Sequence, residues 1–441
     1  MLVRNPPAAP TAESFHDLLT EARERTLALI APLSEVDLRE QHSTLMSPVL
    51  WDLGHIAHFE ELWLTQNLDG HVEFGEMPGL FNPFDHPRRE RGALPLPTLA
   101  GTIAHLTEVR ERVLERLERV NFDHASPLLQ DGYVYRMVAQ HEYQHNETML
   151  QTMQLKHGEP YRAPRQWNAM EKSSGTAMAS GAMVRFPGGE IAIGTNDRSC
   201  AYDNERPMHR IAIAPFFIDV APVSNSDYEQ FIAAGGYHRD EFWSNTGREW
   251  RAESGAGAPE YWTRDGDLWM TREMDRVMPV PASHPVCHVS LHEAEAFARW
   301  ANKRLPTELE WETAASWTPG NGAKRDYVWG NEPPDRTRAN LDQLAFGTAA
   351  IGAYSANRSP LGCIGMIGDV WEWTSSTFHP WPGFNAFPYA EYSEVFFGDD
   401  YNVLRGGSWA TRPGAIRNTF RNWDYPIRRQ IFSGFRCARN D

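Results

Sequence analysis

The residues best equipped for chemistry gather in one heptapeptide, His141-Glu142-Tyr143-Gln144-His145-Asn146-Glu147. Helical residues four apart lie about one turn from each other on the same face, so His141 and His145 can aim two imidazoles at one metal ion. The same stretch also spells H-E-x-x-H, the zinc-peptidase pattern, in which the glutamate is a general base. Two imidazoles make a weak site, and a third ligand has to come from a neighbouring helix. Trp51-Asp52-Leu53-Gly54-His55-Ile56-Ala57-His58 offers His55 and His58, with His55 sharing a face with Trp51 and Asp52. Three imidazoles with open positions suit zinc, iron or copper. The peptidase reading needs Glu142 beside the metal, yet one residue on from His141 it sits about 100° around the helix. A solvent-facing carboxylate is its ordinary alternative. A peptidase also needs a sheet edge to hold extended peptide, and none is suggested near this stretch.

The elements that must carry these residues are helical. Apolar residues recur at helical spacing over 12–32, including Phe15, Leu18, Leu19, Ala22, Leu29 and Ile30. Ser47-Pro48 reads as a cap and first turn for a second helix through Leu50, Leu53, Ile56 and Leu64. A third spans 98–120, and its charge run at 108–119 reads as a solvated face with pairs such as Glu108–Arg112 and Glu115–Arg119. The fourth, 131–157, holds the heptapeptide. Four helices with one long connection (67–97) predict a four-helix bundle over 1–165. A small, polar stretch at 166–182 reads as a linker. Beyond it, 183–441 shows short β-like runs and frequent turns, with helices expected only at 290–303 and 308–316. This is an α+β domain with much irregular structure pinned by tryptophans.

Composition narrows the partners. The 441 residues carry a formal charge of −16, which repels nucleic acid and anionic membranes. Cys200, Cys287, Cys363 and Cys437 are widely spaced, without a C-x-x-C pair, so neither a zinc ribbon nor a disulfide scaffold is expected. No secretory signal or 18-residue apolar run is found, and a reducing cytoplasm is the expected location.

Four further landmarks lie in the C-terminal part. They are Arg304-Leu305-Pro306-Thr307-Glu308-Leu309-Glu310-Trp311-Glu312, Gly368-Asp369-Val370-Trp371-Glu372-Trp373, Arg405-Gly406-Gly407-Ser408-Trp409 and Ser433-Gly434-Phe435-Arg436. From physics alone they are packing tryptophans, turn glycines and buried arginine–carboxylate pairs. Together they resemble the formylglycine-generating-enzyme (sulfatase-modifying-factor) domain, a C-type-lectin-like fold, while the N-terminal part resembles DinB-like metal-binding bundles. Bundle first and this domain second resembles the sulfoxide synthases, or hercynine oxygenases, of ergothioneine biosynthesis.

That resemblance implies a non-haem iron(II) held by His55, from the W-D-L-[AG]-H motif, and by His141 and His145, leaving His58 spare. It implies an oxidoreductase that uses dioxygen to join a cysteine sulfur to hercynine (N,N,N-trimethylhistidine) as a sulfoxide. Tyr389 falls at the position of the family's catalytic tyrosine, with Tyr392 as second candidate. Gln144, Asn422, Trp423 and Asp424 are placed around hercynine and the thiol, Trp423 suiting the trimethylammonium through a cation–π contact. Arg88 and Arg91 are placed at a γ-glutamyl carboxylate and Asp424 at its ammonium, which favours γ-glutamylcysteine over cysteine as donor. No cysteine occurs over 410–424, where formylglycine-generating enzymes carry a copper ligand. A zinc metallopeptidase and a non-catalytic metal-binding scaffold remain the alternatives.

Overall fold

The computed structural model describes residues 10–69, 79–122, 126–166, 181–319 and 324–441. The chain begins with α1 (Ala12–Ile30), whose Thr11 and Ser14 side chains cap each other's backbone N–H groups. A second capping box, Ser34 with Asp37, opens the short α2 (Glu35–Arg39). Helix α3 (Val49–Glu61) runs on into a π-type turn, Leu62–Gln66, and one further turn, α4 (Asn67–Asp69). Helices α5 (Leu99–Leu117) and α6 (Tyr133–Leu155) complete the N-terminal region. α3 packs on α5 and α6, and α1 on α6 and α5, which is the expected bundle.

Two local expectations need correction. Ser47 does not cap α3: Pro48 holds the cap position without a side-chain bond, and Ser47 Oγ accepts from Arg91 instead. The charge run of α5 is not wholly a solvated face. Glu115–Arg119 forms as an exposed pair, but Arg112 reaches Glu61 and Arg110 is buried against Glu60. The buried stripe of α5 takes in Arg110 because a carboxylate waits for it there.

The expected linker falls, from 167 to 180, outside the described residues. The C-terminal region then builds small sheets. β1 (Met183–Phe186) and β12 (Ala438–Asn440) flank β4 (Phe216–Asp219), so strands from the two ends of this region share one sheet. β2 (Gly189–Ile193) and β3 (His209–Ile213) form a pair, and β5 (Thr263–Asp265), β6 (Leu268–Glu273) and β7 (Arg276–Pro279) form a meander. The sheet nearest the chemistry has order β10-β9-β8-β11, from β8 (Trp371–Phe378), β9 (Gly398–Arg405), β10 (Asn422–Asp424) and β11 (Ser433–Gly434). The expected helices appear as α9 (Leu291–Trp300) and α10 (Glu308–Ser316). Two more, α7 (Asn225–Ala233) and α8 (Asn245–Ser254), were not expected. Each is short and largely polar, although the Ser224–Asp227 capping box marks the start of α7.

The landmark motifs are one another's partners. The Arg436 guanidinium donates to both oxygens of Glu372, at 2.7 and 2.8 Å, and Trp311 Nε1 donates to the same carboxylate. Arg405 pairs with Glu312 and Arg421 with Glu308, all four side chains buried. Bundle and C-terminal region share one continuous apolar core. Polar bolts cross it: Glu147 of α6 accepts from Trp371 Nε1, Ser408 Oγ and Thr411 Oγ1, each at 2.7 Å.

Candidate metal centre

The facing sides of α3 and α6 bring His55, His141 and His145 together, one ligand atom from each lying within 4.8 Å of the others. Nε2 of His55 and Nε2 of His141 are 3.2 Å apart. Two imidazole lone pairs at that distance repel unless a cation or proton lies between them. Metal–nitrogen bonds of about 2.0–2.1 Å, opened to tetrahedral or octahedral angles, place ligand nitrogens about 2.8–3.4 Å apart, so the donor set fits a metal ion. His58 is not part of this group.

Each ring is held from behind. Nδ1 of His55 is 2.8 Å from the Phe81 carbonyl oxygen, which can only accept. Nδ1 therefore carries the proton and Nε2 offers its lone pair. Trp51 stacks flat on His55, ring centroids 4.9 Å apart at 12°, and the Arg91 guanidinium lies 3.6 Å over the Trp51 ring. Phe59 stacks on His141 at 3.7 Å and 10°. Nδ1 of His145 lies 3.3 Å from Asp52 Oδ1, out of line for a hydrogen bond. Gly54 is needed for close approach, since a Cβ there would fall 2.2 Å from the Phe81 ring. Burial first, then the nearness of His145, pushes the pKa of His55 and His141 well below the usual histidine value. Neutral imidazole is the form that ligates.

Glu142, the second residue of H-E-x-x-H, is neither beside the histidines' donor atoms nor in solvent. It is buried against the bundle. Arg23 Nε donates to its Oε1 at 2.9 Å, Thr26 Oγ1 to the same oxygen at 2.7 Å, and Arg110 NH2 to Oε2 at 3.4 Å. Glu60 binds the same two arginines from the other side. Burial alone would raise the Glu142 pKa, but Arg23 and Arg110 outweigh it and hold the carboxyl below its ordinary value. A carboxylate saturated by two arginines cannot serve as a peptidase base, so both expectations for Glu142, base or solvent-facing, are corrected.

The C-terminal region supplies the other wall. The Gln144 amide is clamped by two tyrosines: its Nε2 donates to Tyr392 Oη and its Oε1 accepts from Tyr202 Oη, both at 3.1 Å. Those two rings stack at 4.1 Å. Tyr389 lies 6.2 Å from Phe59 and 5.0 Å from Trp63 of the π-turn, centroid to centroid, one ring removed from His141. Burial is the main cause that raises the pKa of both Tyr389 and Tyr392 well above the usual tyrosine value. Trp423 stacks on Phe378 at 4.2 Å and meets Tyr392 edge-on at 5.8 Å. Asn422 and Asp424 flank it on β10, in register with Leu404 and Asn402.

Of the two arginines expected at a substrate carboxylate, only Arg88 is exposed. Arg91 is buried; it donates to the His86 carbonyl, Ser47 Oγ and the Pro83 carbonyl while covering Trp51. Burial, then Arg88, lowers its pKa to about 9. Its guanidinium lies against the Trp51 ring that stacks on His55. A third arginine, absent from the sequence expectations, lies near Arg88: Arg428 Nε is 3.3 Å from Asp424 Oδ1, and Arg88 acts electrostatically on both. Phe59, at i+4 from His55, was legible as a helical neighbour. Phe81, Tyr202 and Arg428 lie on other elements, and no local pattern announces them.

Residues 18–149 match the DinB superfamily and residues 169–441 the Sulfatase-modifying factor enzyme 1-like domain. The chain is 43% identical over 424 residues to the hercynine oxygenase of Mycobacterium tuberculosis, covering 95% of this chain and 97% of that one. It is 42% identical over 437 residues to the hercynine oxygenase of Mycolicibacterium smegmatis, covering 97% and 98%. Likeness to the formylglycine-generating enzyme of Streptomyces coelicolor, 34% over 292 residues, takes in 58% of this chain and 88% of that one. Fold and site thus define a two-region protein, with a DinB-type helical bundle presenting three histidines to a sulfatase-modifying-factor-type domain. The chain belongs to the hercynine oxygenase family.

Proposed function

We propose that this chain is a hercynine oxygenase acting in ergothioneine biosynthesis. It is an oxidoreductase that uses dioxygen to form a carbon–sulfur bond between hercynine and a thiol and leaves the sulfur as a sulfoxide. The balance closes without another reductant: the imidazole C–H and the thiol S–H are broken, C–S and S=O are formed, and the second oxygen atom leaves as water. What carries the reading is the three-histidine cluster, with His55 held by the Phe81 carbonyl and His141 by Phe59, in a chain of this family.

His55, His141 and His145 would hold iron(II). When bound, the iron supplies open coordination positions where a thiolate and dioxygen can react. The chain does the rest by positioning. Phe81 and Trp51 fix the direction of His55, and Phe59 that of His141. Tyr389, kept protonated by burial, holds a donatable proton near His141. Tyr392 and Tyr202 hold Gln144 beside His145. Trp423 offers an aromatic surface to the trimethylammonium, a contact worth about 0.5–2 kcal/mol.

The thiol donor is γ-glutamylcysteine rather than cysteine. Arg88 and Arg428 set two positive charges around the single carboxylate of Asp424, and the surplus favours a substrate carboxylate. A charge-assisted hydrogen bond contributes about 1.5–3 kcal/mol, so Arg88→Ala should lower kcat/KM for γ-glutamylcysteine by roughly 10- to 100-fold and for cysteine far less. Cytoplasmic placement suits four cysteines that are all free thiols. Among the described residues no helix is long and apolar enough to cross a membrane. The deciding experiment is mass spectrometry of the products from hercynine, either thiol, iron(II) and air. A hercynyl sulfoxide supports the reading. Metal binding without oxygen uptake would leave a scaffold, and peptide cleavage a peptidase.

A further inference from the structure

A second histidine cluster lies beyond the end of α6. His42 follows α2, His157 follows α6, and their rings meet edge to face with centroids 5.5 Å apart at 88°. Glu40 closes the group, its Oε1 being 3.2 Å from His157 Nδ1 and 3.8 Å from His42 Nδ1. One ligand atom from each of the three lies within 4.8 Å of the others.

His42 is the informative member. It is only 5% exposed, and its Nε2 lies 3.1 Å from the Asp37 carbonyl oxygen, an acceptor. Nε2 therefore carries the proton, and Nδ1 turns its lone pair toward Glu40 and His157. A histidine that ligates a metal is oriented in this way, one ring N–H on a backbone carbonyl and the other nitrogen turned to the ion. His55 is held likewise in the first cluster, with the two nitrogens exchanged. The bond that His42 Nδ1 receives, from the His157 backbone N–H, is long at 3.3 Å and easily given up. Burial, ahead of all neighbours, lowers the His42 pKa, which favours the neutral ring.

We propose that Glu40, His42 and His157 form a second metal site, which takes a divalent transition ion such as zinc and staples the segment after α2 to the end of α6. Two imidazoles and one carboxylate suit zinc, cobalt or nickel and not calcium or magnesium, which prefer all-oxygen shells. Bonds of about 2.0–2.2 Å at tetrahedral angles need donors about 3.3–3.6 Å apart. Rotation of the exposed Glu40 and His157 side chains closes the remaining gap, and water fills the fourth position. Lys156 is the opposing charge nearby. Its Nζ is already committed to Asp37 Oδ1 and to the Glu159 carbonyl, each at 2.7 Å, and to the His157 carbonyl at 3.1 Å. His157 lies about 18 Å along the helical direction from His145, so the two clusters cannot share an ion. The staple instead steadies the helix that carries His141 and His145.

Cobalt(II) is the probe, titrated into metal-free full-length protein in which His141→Ala and His145→Ala silence the first cluster. One equivalent should bind per chain, with the visible absorption of tetrahedral cobalt. Adding His157→Ala, whose ring is exposed and carries no core packing, should weaken that binding by about 10-fold or more. Zinc should raise the melting temperature of the double variant and leave the triple variant unmoved. The proposal is overturned if the double variant binds no cobalt at micromolar concentration. It is equally overturned if the triple variant binds as well as the double.

Discussion

The two sides of α6 bury two carboxylates five residues apart, and they satisfy them in opposite ways. Toward the bundle, Glu142 meets charge with charge: Arg23 and Arg110 bridge it to Glu60 on α3. Toward the C-terminal region, Glu147 has three neutral donors, from Trp371, Ser408 and Thr411. Burial pulls both pKa values upward, and only at Glu142 do cations reverse it. The difference separates two tasks. The ion-pair network ties α1, α3, α5 and α6 together and fixes the rotation of α6, so that His141 and His145 face His55. The neutral bonds dock the second region, which brings Tyr389, Tyr392 and Trp423 to the same place.

The largest break comes from His141→Ala, which leaves both carboxylate anchors intact. Turnover should fall to background and iron binding should be lost in metal analysis, while the melting temperature hardly changes. If His58→Ala proves inactive and His55→Ala normal, the third ligand is His58 instead. Glu142→Ala should do the reverse, leaving two buried arginines to share Glu60. An uncompensated buried charge costs about 3–5 kcal/mol, readable in urea unfolding. A stable but inactive Glu142→Ala protein would show that Glu142 serves the chemistry and not the cohesion of the bundle.

On the docked side, Tyr389→Phe should keep substrate binding but divert oxygen toward a sulfinate of the thiol, seen as a changed product ratio. Unchanged sulfoxide yield would move that role to Tyr392. Gly54→Ala should force Phe81 away from α3 and loosen His55, lowering metal affinity about 10-fold. Equal affinity by titration would show that the Phe81 carbonyl does not orient the ligand. Glu147→Gln should have the smallest effect, about 1–2 kcal/mol, because an amide oxygen still accepts from neutral donors. A loss as large as that of Glu142→Ala would mean that the two sides of α6 do not differ as described.

Much of this site is legible in the sequence. The i,i+4 spacing of His141 and His145, the Trp51–His55 motif and the apolar stripes of α1, α3, α5 and α6 are local patterns, and helical geometry converts them directly into faces. The β1 run and α10 were equally plain. Less regular elements were not: α7 and α8 are too short and polar to show a stripe, and Ser47 looked like a cap because its true partner, Arg91, lies 44 residues away.

The chain by itself determined which residues share a helical face, hence that two histidines could ligate together and that a third had to cross from another helix. Tertiary structure alone decided what each group faces. It sent Glu142 into an ion-pair network with Arg23, 119 residues away, and turned Arg91 from a surface cation into the cover of Trp51. It also chose the proton-bearing nitrogen of His55 through Phe81. The reason is physical. Periodicity is set by backbone geometry within a few residues, whereas protonation, pairing and desolvation depend on whatever distant segment is packed within a few ångströms.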